Sequence, residues 1–233
     1  MFDVKVLASS SEGNCYIISD GITRLLLDAG VKIKEILVAC DFDMDAIRGA
    51  LITHEHKDHA LAVEDLTGRG ISIYGSPALA NKYRDVHCVR PFTRYAVGTM
   101  DFFAVPMEHD VPCYAYVVRS CATGESIMYA TDTKRMTEYV KGLDQLIIES
   151  NYNLELLRKS TKPAKLVRRI AECHMSVETL AKYISRMDRS KLKEIYLAHL
   201  SDDHSDADEM LELIKKAAPE AKVFICGKNG GIN

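Results

Sequence analysis

The chain has 233 residues, 47% of them hydrophobic and 27% charged, with a formal net charge of −3. That suffices to bury a substantial core in a single domain spanning 1–233, and the balance excludes a global electrostatic signature of nucleic-acid binding. Seven cysteines without a CxxC pair read as reduced thiols of a cytoplasmic protein, and with neither a signal peptide nor an apolar run of membrane length, no membrane partner is expected.

Val4 to Ala8, Cys15 to Ile18 and Thr23 to Leu27 read as strands, the last two joined at the hairpin dipeptide Asp20-Gly21. Between the first two, Ser9 to Asn14 reads as a small polar loop. Leu25-Leu26-Leu27 runs into Asp28, a strand-end carboxylate that reads either as a turn former or as an acceptor for a metal-bound histidine or the loop backbone. Lys32 to Cys40 has helical spacing. The apolar run Ala50-Leu51-Ile52 then leads into Thr53-His54-Glu55-His56-Lys57-Asp58-His59. A helix is expected to continue from there to Gly68, followed by a strand over Ile71 to Tyr74 and a helix capped by Ser76 with Pro77 behind it.

Further along, Phe102 to Pro106, Tyr114 to Arg119, Ser126 to Ala130, Leu143 to Ile148, Leu192 to Ala198 and Val223 to Cys226 read as strands. Helices are expected at Leu154 to Lys159, Ala164 to Glu172, Ser176 to Met187 and Asp206 to Ala218. Two strand-rich halves, each with helices, predict a mixed α/β (α+β) sandwich ordered helix, sheet, sheet, helix.

Strands that end in metal-type ligands recur: at His54 to His59, at His109, at Asp132 and at His199. In an extended segment His54 and His56 face one side, and the turn after them can aim Asp58 and His59 at a second ion. Two divalent ions need about seven protein ligands. His54, His56 and His109 would serve one, Asp58, His59 and His199 the other, with Asp132 as a bridge. Such a pair lowers the pKa of a shared water toward neutrality and supplies a bridging hydroxide as nucleophile. Zinc, manganese and iron all suit the donor set. Asp132 could also cap a helix starting near Lys134, a role compatible with metal binding.

THEHKDHA, the isolated EHD, ATDT after a strand and LAHLS, in that order, resemble the metal motifs of metallo-β-lactamase-fold hydrolases, from Leu7 to the last strand. The resemblance implies an αββα sandwich of two mixed sheets flanked by helices. Asp132 stands where antibiotic-hydrolysing members with a cysteine ligand carry that thiol, which argues against β-lactamase activity. Leu146 to Asn151 and Cys173-His174-Met175-Ser176 resemble elements of the tRNase Z and YycJ-like branches, with Cys173 where relatives carry glycine. By that resemblance His174 would lie beside the scissile phosphate as a catalytic residue with Glu149 orienting it, and Asp58 would join the catalytic set. The Ser9 to Asn14 loop resembles the YycJ-like Gly-Ser-x-Gly-Asn loop, and Ser10, Asn14 and Asn151 would touch substrate.

The expected activity is a dinuclear metal-dependent phosphodiesterase or nuclease, with nucleic acid as the preferred partner and exonuclease action on DNA as a lead. A thioester or lactone hydrolase on the same metal set is the alternative, and a metal- or nucleotide-binding protein without turnover is the third reading. Arg158 to Arg169 reads as a solvated basic face or a phosphate-tracking patch. His87 and His204 read as surface histidines, and the cysteines as core filler.

Overall fold

The computed structural model describes residues 1–233. The first sheet runs in sequential order through β1 (Asp3–Ser10), β2 (Gly13–Ser19), β3 (Arg24–Leu27), β4 (Ile47–Leu51), β5 (Ile73–Gly75) and β6 (Val86–Cys88). The second runs through β7 (Tyr95–Val97), β8 (Met100–Met107), β9 (Cys113–Ser120), β10 (Ser126–Ala130), β11 (Gln145–Glu149), β12 (Glu194–Ala198) and β13 (Lys222–Ile225). Each sheet begins with antiparallel hairpin partners and turns parallel, from β3 onward in the first and from β10 onward in the second. Parallel neighbours need crossovers. In the first sheet these contain α1 (Ile33–Ala39), α2 (Lys57–Ala60), α3 (Val63–Thr67) and α4 (Pro77–Lys82). In the second they contain α5 (Leu154–Arg158), α6 (Ala164–Cys173), α7 (Val177–Arg186) and α8 (Ala207–Ala217).

Side-chain alternation divides the apolar residues into three layers. Tyr129, Ile147 and Tyr196 face Leu25, Leu27 and Tyr16 between the sheets. Met128, Ile148 and Leu197 turn outward onto α7 and α8 residues such as Leu180, Ile184 and Ile214. Leu26 and Ala50 turn onto Ile36, Leu66 and Leu79 from the helices of the first sheet. The result is the expected αββα sandwich, with strand-end loops of both sheets meeting at one edge.

Most elements stand within a residue or two of their expected bounds, including the Ser76 cap, which accepts the Leu79 N–H. Four expectations are corrected. The Ser9 to Asn14 loop shrinks to Ser11 and Glu12, because Ser9 pairs with Asn14 and Ser10 with Gly13 in the ladder. The helix after the histidine cluster breaks at Ala62, whose N–H goes to the Ala29 carbonyl at 2.9 Å instead of continuing the helical pattern. No helix follows Asp132, so the capping role falls away. Cys88 and Cys121 are exposed, while the other five cysteines are buried. The short strands β6 and β7 carry too few residues to show a period and were not anticipated. No helix is long and apolar enough to cross a membrane.

Candidate metal centre

The parallel strands of both sheets deliver their C-terminal ends to one place. β3 ends at Asp28, β4 at Thr53 and His54, β10 at Asp132, β11 at Glu149 and Asn151, and β12 at His199. Apolar runs bury the strands, and the polar group stands at or within two or three residues of the last ladder position. Asp28, Asp132 and His199 have φ of +56°, +51° and +54°, a conformation costing roughly 1–3 kcal/mol at each non-glycine position and maintained only when the surroundings fix it. Gly30 shows how tightly the approach is built: a Cβ there would lie 1.7 Å from the Asp58 carbonyl oxygen.

Asp28 is fully buried. Burying an unpaired carboxylate costs several kcal/mol, so its partners decide whether it can stay. It faces the Thr53 N–H at 2.7 Å, the Tyr129 hydroxyl at 2.6 Å and His59 Nδ1 at 2.7 Å. That last contact turns His59 Nε2 toward the cluster, 3.3 Å from Asp132 and 3.4 Å from Asp58. His109 is oriented the same way, with Nδ1 3.3 Å from the Cys173 carbonyl and Nε2 facing His56 Nδ1 at 3.4 Å. His54 Nδ1 lies 3.0 Å from Thr53 Oγ1, leaving Nε2 3.0 Å from His56 Nδ1. Outer partners that fix one ring nitrogen and free the other are the pattern of metal-ligating histidines.

Ligand atoms within 4.8 Å of one another form three overlapping groups: His54, His56 and His109; His54, His59 and Asp132; and Asp132, Glu149, His174 and His199. Asp132 is shared by two of them, and its Oδ1 is 2.6 Å from His199 Nδ1. The Nε2 of His199 is buried with no hydrogen-bond partner. An orphaned buried nitrogen beside a shared carboxylate fits a divalent cation. Protonation follows the same crowding. Burial resists charge on Asp132, yet the His199 and His59 imidazoles hold its pKa well below the usual range. Burial also depresses His54 and His109, whereas for His59 the Asp132 and Asp28 carboxylates outweigh burial and raise it. Protons there stand where cations would neutralise the same carboxylates.

His174 is the C-cap of α6. Its Nδ1 lies 2.5 Å from Glu149 Oε1, while Glu149 Oε2 accepts from the Thr133 and Met175 N–H groups at 2.9 and 3.2 Å. Burial pulls the imidazole pKa down, and the Glu149 carboxylate more than reverses this, lifting it to about 9. The His174 ring centroid lies 5.2 Å from that of His199.

His56, Asp58, His109, Asp132, Asn151, His174 and His199 line one cavity of about 490 Å³. Ser10 and Asn14 are not among its walls. Ser10 Oγ accepts the Glu12 N–H, and Asn14 is buried with Nδ2 2.8 Å from the Ser10 carbonyl and 3.2 Å from His59 Nε2. Asn14, opposite Ser9 in the ladder, reaches the His59 imidazole, whereas Ser10 turns to the other face and closes the hairpin turn on Glu12. Ser9 reaches His199, whose N–H it accepts at 2.9 Å. His204 is no surface residue: it is buried against Ser160 at 2.8 Å and lines the cavity. Asp110, Arg169 and the apolar Leu166, Ile170 and Leu200 were also missed as site residues. Asp110 lies 3.0 Å from His109 Nε2 and 3.6 Å from Arg169. Adjacency to His109 and His199 was the available signal for Asp110 and Leu200, whereas Leu166, Arg169 and Ile170 share a helical face that needs tertiary placement to acquire meaning.

Two mixed sheets with histidines and carboxylates gathered at shared strand ends define a metal-dependent hydrolase of the metallo-β-lactamase fold. Residues 23–225 match the beta-lactamase superfamily domain, and the chain belongs to that superfamily. It is 29% identical over 225 residues to the exodeoxyribonuclease WalJ of Streptococcus pneumoniae, covering 88% of this chain and 83% of that protein. It is 28% identical over 247 residues to the exodeoxyribonuclease YycJ of Bacillus anthracis, covering 96% and 91%. Among solved structures, the metallo-β-lactamase fold protein YhfI of Bacillus subtilis superposes with a TM-score of 0.75 at 16% identity, covering 99% of this chain and 98% of that one. The fold implies divalent metal ions, and the His/Asp groups offer them donors.

Proposed function

We propose that the protein, acting as one domain, hydrolyses phosphodiester bonds of nucleic acid, with exonucleolytic cleavage of DNA as its activity. The observation that carries this reading is His174, backed by the buried Glu149, opening onto the same cavity as the histidine-carboxylate cluster. His54, His56 and His109 would hold one divalent cation and Asp58, His59 and His199 a second, with Asp132 serving both. Two such cations lower the pKa of a water toward neutrality and neutralise phosphate charge.

The remaining work falls to the chain's own side chains. Glu149 keeps the His174 imidazole protonated and oriented, so its outer nitrogen can donate to a phosphate oxygen or protonate the departing oxygen. Asn151 lines the cavity while its Nδ2 donates to the His199 carbonyl at 2.8 Å, tying the substrate wall to a ligand residue. The names of the WalJ and YycJ relatives support DNA as the substrate. A thioester or lactone hydrolase could use the same cations but would leave the buried Glu149 and its partner unused. Purified protein loaded with zinc or manganese should hydrolyse bis-p-nitrophenyl phosphate and labelled DNA. Turnover of thioesters or lactones with no phosphodiester cleavage would refute the proposal.

A further inference from the structure

Part of the cavity lining is apolar although the rest is polar or charged. Leu166 and Ile170 of α6 and Leu200 are its three hydrophobic members, and Leu166 is 41% exposed. A lone exposed leucine is ordinary on a protein surface, but here it shares the lining of one polar cleft with two further apolar side chains. Leu166, Arg169 and Ile170 stand at i, i+3 and i+4, so they share one face of α6. That helix ends at His174, placing Ile170 about 6 Å and Leu166 about 12 Å back along its axis from the catalytic imidazole. Arg169 reaches out beside them, held loosely by Asp110 at 3.6 Å. On the same segment Lys159 and Lys162 have carboxylate partners, whereas Arg158, Lys165 and Arg168 enter no ion pair.

We propose that the Leu166, Ile170 and Leu200 wall is a platform for a nucleobase next to the scissile phosphate, with Arg169 receiving a flanking phosphate of the same strand. The inference rests on the phosphodiester reading above and names the part of the substrate that confers selectivity. A flat base needs an apolar face bordered by polar groups at its edge. The three apolar side chains supply the face, and Ser201 and Asn151 lie in the same lining. A long acyl chain would require a deeper apolar channel than three side chains make. The unpaired cations continue outward from the platform and would track the strand's next phosphates.

The test compares kcat/KM for a short single-stranded oligodeoxynucleotide and for an abasic oligomer of the same length, in which tetrahydrofuran replaces every nucleoside. Wild-type protein, metal-loaded, should prefer the strand with bases by roughly tenfold. The double variant Leu166→Ala/Ile170→Ala should lose most of that preference through a higher KM for the base-bearing strand. Because Leu166 is exposed, the single variant Leu166→Ala remains folded and should show the same trend if the double variant is unstable. Equal cleavage of both backbones by wild type, or a preference unchanged in the variants, overturns the platform while leaving the phosphodiesterase reading intact. Cleavage of neither backbone overturns both, and faster turnover of a long-chain acyl thioester would assign the wall to an acyl group instead.

Discussion

The strand-end cluster and the α6 wall face one cavity but are built on opposite principles. In the cluster, His54, His59, Asp132 and His199 are buried, and the ring nitrogens or carboxylate oxygens are tied to outer partners such as Asp28 and Thr53. On the wall, Arg169 is exposed and has one weak ion pair. Fixed geometry suits groups that would meet a cation within tenths of an ångström, while exposed cations and a small apolar face would suit the proposed polymer substrate, which has to enter and leave. Chemistry and selectivity can therefore be broken separately.

The largest effect should follow Asp132→Ala. Loss of the carboxylate shared between the ligand groups should reduce bound metal to one ion per chain or fewer and cut activity by roughly 10³-fold or more, read by elemental analysis and turnover. Glu149→Gln should lower kcat about 10²-fold with metal content retained. It also carries a pH signature. Glu149 raises the His174 pKa to about 9, so without that charge the imidazole loses its proton at lower pH. The alkaline limb of the pH–rate profile should move to lower pH, and an unmoved limb would mean that His174 is not the titrating acid. Asp28→Asn should weaken metal affinity roughly 10- to 100-fold by loosening His59, measured by competition with a chelator. Smallest is Lys165→Gln/Arg168→Gln: KM for DNA should rise a fewfold and the slope of log affinity against log salt should flatten by about one to two, with bis-p-nitrophenyl phosphate turnover unaffected.

The same contrast explains what could be read before the fold was known. An apolar run closing on histidine or aspartate marks a strand end whatever the neighbours are, so His54, His56, His59, Asp132 and His199 stood out as candidates, and with His109 their donor atoms fall in overlapping groups, with Asp58 3.4 Å from His59; Glu149 stood out by its motif resemblance. Ser10 and Asn14 read as loop residues but stand in the β1–β2 ladder, because loop composition does not encode how far a hairpin's pairing extends. His204 follows a run of polar residues and looked solvated, but the chain folds back to give it Ser160 as a partner. Leu166 and Ile170 have the spacing of an ordinary amphipathic helix. Their place beside the cluster depends on where α6 ends, and that is fixed by His174 meeting Glu149, a contact across 25 residues.

The most direct test of the central claim is cleavage of end-labelled DNA by His174→Ala, with bound metal quantified on the same samples. The account predicts wild-type metal content with kcat lowered by about 10²- to 10⁴-fold. Unchanged DNA cleavage at full metal occupancy would contradict it.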